Sequence, residues 1–177
     1  RARNSLHYLI SQTTTLSSDK TLKQSFGTYI IKDDETLTVA SGKTLTIEPG
    51  VTVKMGGSAD LVVDGTLKSD GTAANNILFT ALSASPAAGS WRNVRITSTS
   101  QNSSVSRTRF KYGGGFTANI ASERRALFSV IDNSITISNS IFENSASAGA
   151  RLAISNSTIQ NNTFSVGTTT GDNVGLY

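Results

Sequence analysis

The residues best suited to chemistry in this chain are cations interleaved with aromatic rings near its middle. If Val94, Ile96, Phe110 and Tyr112 point inward, strand alternation turns Asn93, Arg95, Arg109 and Lys111 outward. Arg95 is then expected to stack on Lys111, 16 residues on. Arg107 extends the same strand, Arg92 precedes it, and Arg124 and Arg125 follow in the next coil. Trp91 and Phe116 supply flat apolar surface beside the cations, suited to a sugar ring. Like charges on neighbouring strands repel mildly, so their clustering invites an anionic partner: an acidic polysaccharide, a phosphate-bearing envelope polymer or a nucleic acid. The plainer alternative is a solvated face that discourages lateral aggregation, in keeping with a net charge of only +4. For Trp91 the plainer role is to anchor the loop from Ser83 to Gly89.

Acid chemistry has less to build on. The chain has 12 Asp and Glu, and the only acidic run, Asp33-Asp34-Glu35, reads as a solvated turn. Glu48 and Asp64 lie 16 residues apart and are expected to stack as corner carboxylates that accept backbone amide hydrogens. Glycoside hydrolysis needs a carboxyl pair about 5 Å or about 6.5 to 9.5 Å apart. Near the basic set the acids are Asp132, Glu123 and Glu143. Gly113-Gly114-Gly115 lacks the following helix and Lys-Ser or Lys-Thr of a phosphate loop, and reads as a loop hinge.

There is no cysteine and one histidine, His7, which excludes a disulfide framework, a thiolate zinc site and a multi-histidine metal centre. No metal, cofactor or catalytic residue is expected. The sequons at Asn102, Asn156 and Asn161 are what chance produces in an Asn- and Ser-rich chain. No apolar run approaches the roughly 20 residues of a membrane span. The chain starts at Arg1 without a signal peptide, so a processed piece of a longer protein is expected.

The elements that must position these residues show as a repeat. Tyr29, Leu45, Leu61, Ile77 and Val94 follow one another at 16 or 17 residues, each with an apolar partner two residues on. Both members of such a pair face one side of a strand. Leu37 with Val39 and Val51 with Val53 form further short sides, and at a step of 16 Leu37 lands on Val53 and Val51 on Leu67. Ile137-Ser138-Asn139-Ser140 recurs 17 residues later as Ile154-Ser155-Asn156-Ser157, and Asn144 is matched by Asn161. Short-period self-similarity marks a solenoid whose repeats bury their apolar faces by stacking. Thr, Ser, Asn and Gly between the pairs suit outward strand positions and corners, while 37% hydrophobic residues suffice for one core.

Thr44-Leu45-Thr46-Ile47-Glu48-Pro49-Gly50-Val51-Thr52-Val53, followed by Leu61-Val62-Val63-Asp64-Gly65-Thr66-Leu67, resembles the coils of right-handed parallel β-helix proteins of the pectate-lyase-like superfamily. Ile154 to Phe164 resembles their Asn-rich repeat, in which inward Asn side chains stack on successive turns. The resemblance spans Tyr29 to Phe164 and implies the fold, but no one activity, because these coils occur in polysaccharide lyases and hydrolases, phage tailspikes and non-catalytic surface proteins alike. A left-handed β-helix competes, but it shows a stricter hexapeptide period.

The resulting expectation is an all-β, single-domain right-handed parallel β-helix of about eight coils of 16 to 18 residues, a rod near 40 Å long. Residues 1–26 form a leader or cap with a short amphipathic segment at Ser5 to Ile10, residues 27–166 the β-helix, and 167–177 a tail or cap. The expected function is that of a non-catalytic extracellular or cell-surface module, an adhesin-like stalk or binding domain for an acidic polysaccharide, with flanking domains of a longer chain as further partners. A polysaccharide lyase or hydrolase is the alternative, and a filament-associated or nucleic-acid-binding surface domain the second.

Overall fold

The computed structural model describes residues 8–10, 12–116, 125–153 and 156–165. Its strands follow one another three to a turn. The first turn holds β1 (Tyr8–Ile10), β2 (Thr14–Leu16) and β3 (Lys20–Leu22). The second holds β4 (Thr28–Ile31), β5 (Thr36–Val39) and β6 (Thr44–Ile47), and the third β7 (Thr52–Met55), β8 (Asp60–Val63) and β9 (Thr66–Asp70). Next come β10 (Ile77–Ala81), β11 (Asn93–Ile96) and β12 (Ser104–Ser106), then β13 (Thr108–Lys111), β14 (Ala126–Ile131) and β15 (Thr136–Ser138). The sixth turn is β16 (Ile141–Glu143), β17 (Ala148–Ala153) and β18 (Thr158–Gln160), and β19 (Thr163–Ser165) opens another.

Every third strand stacks. Sheet A runs β1-β4-β7-β10-β13-β16-β19, sheet B β2-β5-β8-β11-β14-β17 and sheet C β3-β6-β9-β12-β15-β18. All pairings are parallel. The chain is a right-handed parallel β-helix, the hand that parallel crossovers take.

The turn is longer than the sequence spacing suggests. Thr28 pairs with Thr52, 24 residues on, and Thr36 pairs with Asp60, also 24 on. One side with its corner occupies eight residues, as in the inward run Leu37, Leu45, Val53 and Leu61. A step of 16 therefore crosses two sides and lands on another sheet: Tyr29 lies in A, Leu45 in C and Leu61 in B. Leu37 stacks on Leu61 and not on Val53, and Ile137 stacks on Ile159 and not on Ile154. Glu48 and Asp64 occupy different corners, as do Asn144 and Asn161. Six turns replace the expected eight, which puts β1 and β19 about 29 Å apart at ~4.8 Å per strand.

The helix also begins earlier than expected. Residues Tyr8–Ile10 pair with Tyr29–Ile31, so the first turn falls within the segment assigned to a cap. The proposed tail, 167–177, lies outside the described residues.

Alternation builds the core. In β4 to β8 every second residue is buried, and the intervening residues, mostly Thr with Lys54, Asp60, Ile30 and Val62, face outward. Inside sheet A, Phe79, Phe110, Phe142 and Phe164 stack one per turn, with ring centroids 4.9, 5.0 and 5.0 Å apart. That spacing is the strand spacing itself, so the backbone dictates offset-stacked rings. Polar side chains tie the corner where sheet C passes to sheet A. Thr108 N–H donates to Ser140 Oγ, and Ser140 N–H donates to Asn162 Oδ1, whose Nδ2 returns a bond to the Ile137 carbonyl. These bonds satisfy backbone groups that the corner would otherwise bury unpaired.

Candidate functional site

Long loops gather at one corner, where sheet A passes to sheet B. That corner has four residues between β4 and β5, Lys32 to Glu35, and lengthens to Leu82–Arg92 after β10 and to Tyr112–Arg125 after β13. Loops at one corner of successive turns lie side by side, so an insertion in one turn walls a space against its neighbours. Here a cleft of about 420 Å³ is lined by Ser58, Trp91, Arg92, Phe116 and Ala146, with backbone from Gly89 and Gly115. Its lining comes from four consecutive turns.

Trp91 is the floor support and not a wall. It is fully buried, and its Nε1 donates to the Lys111 carbonyl at 2.8 Å. A ring without exposed surface offers no face to a sugar, which corrects the expectation of a stacking platform and leaves the anchoring role. Phe116 keeps the exposed aromatic face, at 42%. The Arg125 guanidinium lies over that ring, 4.9 Å from its centroid, in a cation–π contact.

The Gly113 to Gly115 run is pinned and is not a hinge. Gly113 O accepts from Gly89 N–H and Ala146 N–H, Gly114 N–H donates to Arg92 O, and Gly115 N–H donates to Trp91 O. A Cβ on Gly113 would stand 2.7 Å from the Trp91 ring, and one on Gly115 2.3 Å from Gly89 O. Only glycine lets these backbones approach so closely. The cleft is thereby preorganised by main-chain bonds across three neighbouring turns.

Arg92 faces an acid that sequence reading did not single out. Its Nη1 donates to Asp60 Oδ2 at 3.0 Å. Burial pushes the Asp60 carboxyl above its ordinary value of 3.8, against the opposing pull of the Arg92 hydrogen bond and of the charges of Arg92 and Arg95. Asp60 begins β8 and Arg92 immediately precedes β11, its partner strand, so only the true turn length brings them together.

The other cations do not form one ladder. Arg95 lies in sheet B between Val62 and Ser129, whereas Arg109 and Lys111 lie in sheet A. The expected Arg95–Lys111 stack is absent because a 16-residue step changes sheet. Arg109 and Lys111 do point outward, and both bind one acid: Glu143 Oε1 takes Arg109 Nε at 2.7 Å and Lys111 Nζ at 3.1 Å. The Arg109 hydrogen bond, with that of Lys111, holds the Glu143 carboxyl below its ordinary value of 4.5. Asn93 shares the outward face with Arg95, as its register opposite Asp60 shows, but is covered there, with its Nδ2 donating to Ser129 Oγ. Tyr112 leaves the strand in a left-handed conformation, φ 66°, and is only partly buried. Arg107 is a corner residue at φ 46° between β12 and β13, away from the cleft. Arg124 and Glu123 lie outside the described residues.

Among the described residues, no group of three or more His, Asp or Glu could hold a metal ion, and no helix is long and apolar enough to cross a membrane. Compared with known proteins, the chain matches no family model, no curated protein and no solved structure.

Proposed function

We propose that this β-helix is a non-catalytic extracellular or cell-surface module that binds an acidic polysaccharide in the cleft between sheets A and B. The observation that carries the reading is the cleft itself: a rigid, glycine-seated groove with an exposed Phe116 and the guanidinium groups of Arg92 and Arg125. A sugar ring stacks on an aromatic face, and a carboxylate or sulfate ester accepts from guanidinium groups. Arg92 and Arg95 gather about Asp60 and Arg125 lies over Phe116, on the side of the cleft away from the corner acids near Gly57, where Asp33 Oδ1 accepts from Gly57 N–H, and this cationic side favours an anion. The coil resemblance to pectate-lyase-like surface proteins supports the same setting.

One observation favours a polysaccharide-cleaving enzyme as the second reading. Asp60 sets one largely buried carboxyl beside the cleft-lining Arg92, 3.0 Å from its guanidinium. Hydrolysis also requires a second carboxyl group at a defined separation.

The test is binding of the chain to acidic and neutral polysaccharides at low and moderate salt, with breakdown followed in the same samples. Wild type is compared with Phe116→Ala and with an Arg92→Ala/Arg125→Ala double variant. Salt-sensitive binding to acidic polymers, weakened at least tenfold by either variant and without cleavage, is the expected result. Cleavage would transfer the site to the enzyme reading, and unaltered binding by both variants would remove the cleft from it.

A further inference from the structure

The outward face of sheet A carries a second basic feature that adjoins the cleft, and its geometry points to an internal competitor for anions. Arg109 and Lys111 stand on the same face of β13, and Glu143 on β16 is the direct cross-strand partner of Lys111. A single oxygen, Oε1, accepts from both cations. Arg109 spends Nε on this bond, and its Nη groups have no protein partner among the described residues. The neighbouring strands add no acid to this face: β10 contributes Leu78 and Thr80, and β19 contributes Thr163 and Ser165. Among the described outward residues of sheet A, Glu143 is the one acid against Lys54, Arg109 and Lys111. The patch shares backbone with the cleft, since the Lys111 carbonyl holds the Trp91 indole under the cleft floor.

We propose that Glu143 acts as a built-in pseudo-ligand, occupying with its carboxylate the position that an acidic group of a cleft-bound polymer would take between Arg109 and Lys111. This rests on the anionic-polymer reading of the cleft and adds to it a rule of selection. A lone carboxylate arriving at the patch exchanges one carboxylate for another and gains little. A polymer of closely spaced sulfate esters displaces Glu143 because a neighbouring group is already held in the cleft. The patch therefore discriminates by charge density, through a repulsive element as well as an attractive one.

The experiment measures affinity of polygalacturonate and dextran sulfate for wild type, Glu143→Gln and Glu143→Gln/Arg109→Ala/Lys111→Ala, at one low salt concentration. Glu143→Gln is expected to tighten polygalacturonate at least tenfold and dextran sulfate less, and the triple variant to lose that gain. Trp91 emission and thermal unfolding report whether each variant is folded. Should Glu143→Gln fail to fold, Glu143→Asp, which keeps the charge but shortens its reach, is expected to tighten polygalacturonate by a smaller factor. A purely structural tie between turns would lower thermal stability and leave both affinities within twofold, which overturns the proposal while the cleft reading stands. Binding of neither polymer by wild type or by the folded variants overturns both.

Discussion

Replacing Gly113 with alanine tests whether the cleft is seated as described. The added Cβ would lie 2.7, 2.8 and 3.0 Å from three carbons of the Trp91 indole, where contact is favourable only at about 3.5 to 4.0 Å. The indole is fully buried, and its Nε1 is held at 2.8 Å by the Lys111 carbonyl. Either the ring shifts by most of an ångström and loses that hydrogen bond, or the Gly113 backbone moves and loses its bonds to Gly89 and Ala146. Overpacking costs about 1–3 kcal/mol, and a buried donor left unpaired costs about 1–3 kcal/mol more. Some of the two overlap, so the expected loss is roughly 2–4 kcal/mol, or a fall in Tm of roughly 5–15 °C for a chain of this size. Because Trp91 is the only tryptophan, its emission reports the shift directly in the folded state. Gly57→Ala is the control at the same corner two turns earlier: its Cβ would meet only Asp33 Oδ1, at an ordinary 3.7 Å, and stability should stay within about 0.5 kcal/mol. A Gly113→Ala protein with wild-type emission and a stability within that same margin would refute the close seating of indole on glycine.

The phenylalanine stack gives a gradient: Phe110→Ala, between two stacked neighbours and fully buried, should cost about 3–5 kcal/mol in denaturant unfolding. Phe164→Ala, which has one stacked neighbour and is only partly buried, should cost clearly less, and equal losses would count against the stack. The acid side of the stability curve should separate two carboxyls. Glu143 is depressed below 4.5, so its ion pairs stabilise the fold above that value and are lost as pH falls through the lower folded value; the Tm gap between wild type and Glu143→Gln should close over that acid range. Asp60 is raised above 3.8, so its contribution runs the other way, present below 3.8 and lost as pH rises through the folded value, and Asp60→Asn should show its benefit at neutral rather than acid pH. A gap for Glu143→Gln that widens toward acid pH would contradict the clamp.

Inward and outward assignments were legible because they depend only on strand alternation. Val94, Ile96 and Phe110 are buried and Arg95, Arg109 and Lys111 point outward, as the pattern requires. Asn93 keeps the same outward side but is covered there, bonded to Ser129 of the next strand. Tyr112 departs from the pattern because the strand ends one residue before it. The candidate site was legible residue by residue but not as an arrangement. Arg92, Arg125 and Phe116 were visible as types suited to an anionic glycan, whereas Asp60 carried no signal until its pairing strand was known. Trp91 was legible in its quieter role, since a lone tryptophan beside a glycine-bounded loop more often anchors than binds.

The turn length is where local pattern ran out. Each side of the helix repeats every eight residues, and an eight-residue pattern looks self-similar at 16 as well as at 24. Local sequence physics, through alternation, Thr-rich outer faces and corner residues, determined that this chain forms short parallel strands with one apolar edge. How many sides close a turn is decided by the packing of three sheets around a common core, which couples residues 21 to 36 positions apart. That choice put Arg92 on Asp60, Glu143 between Arg109 and Lys111, and four corners around one cleft. None of these contacts exists along the chain; each requires the closed turn.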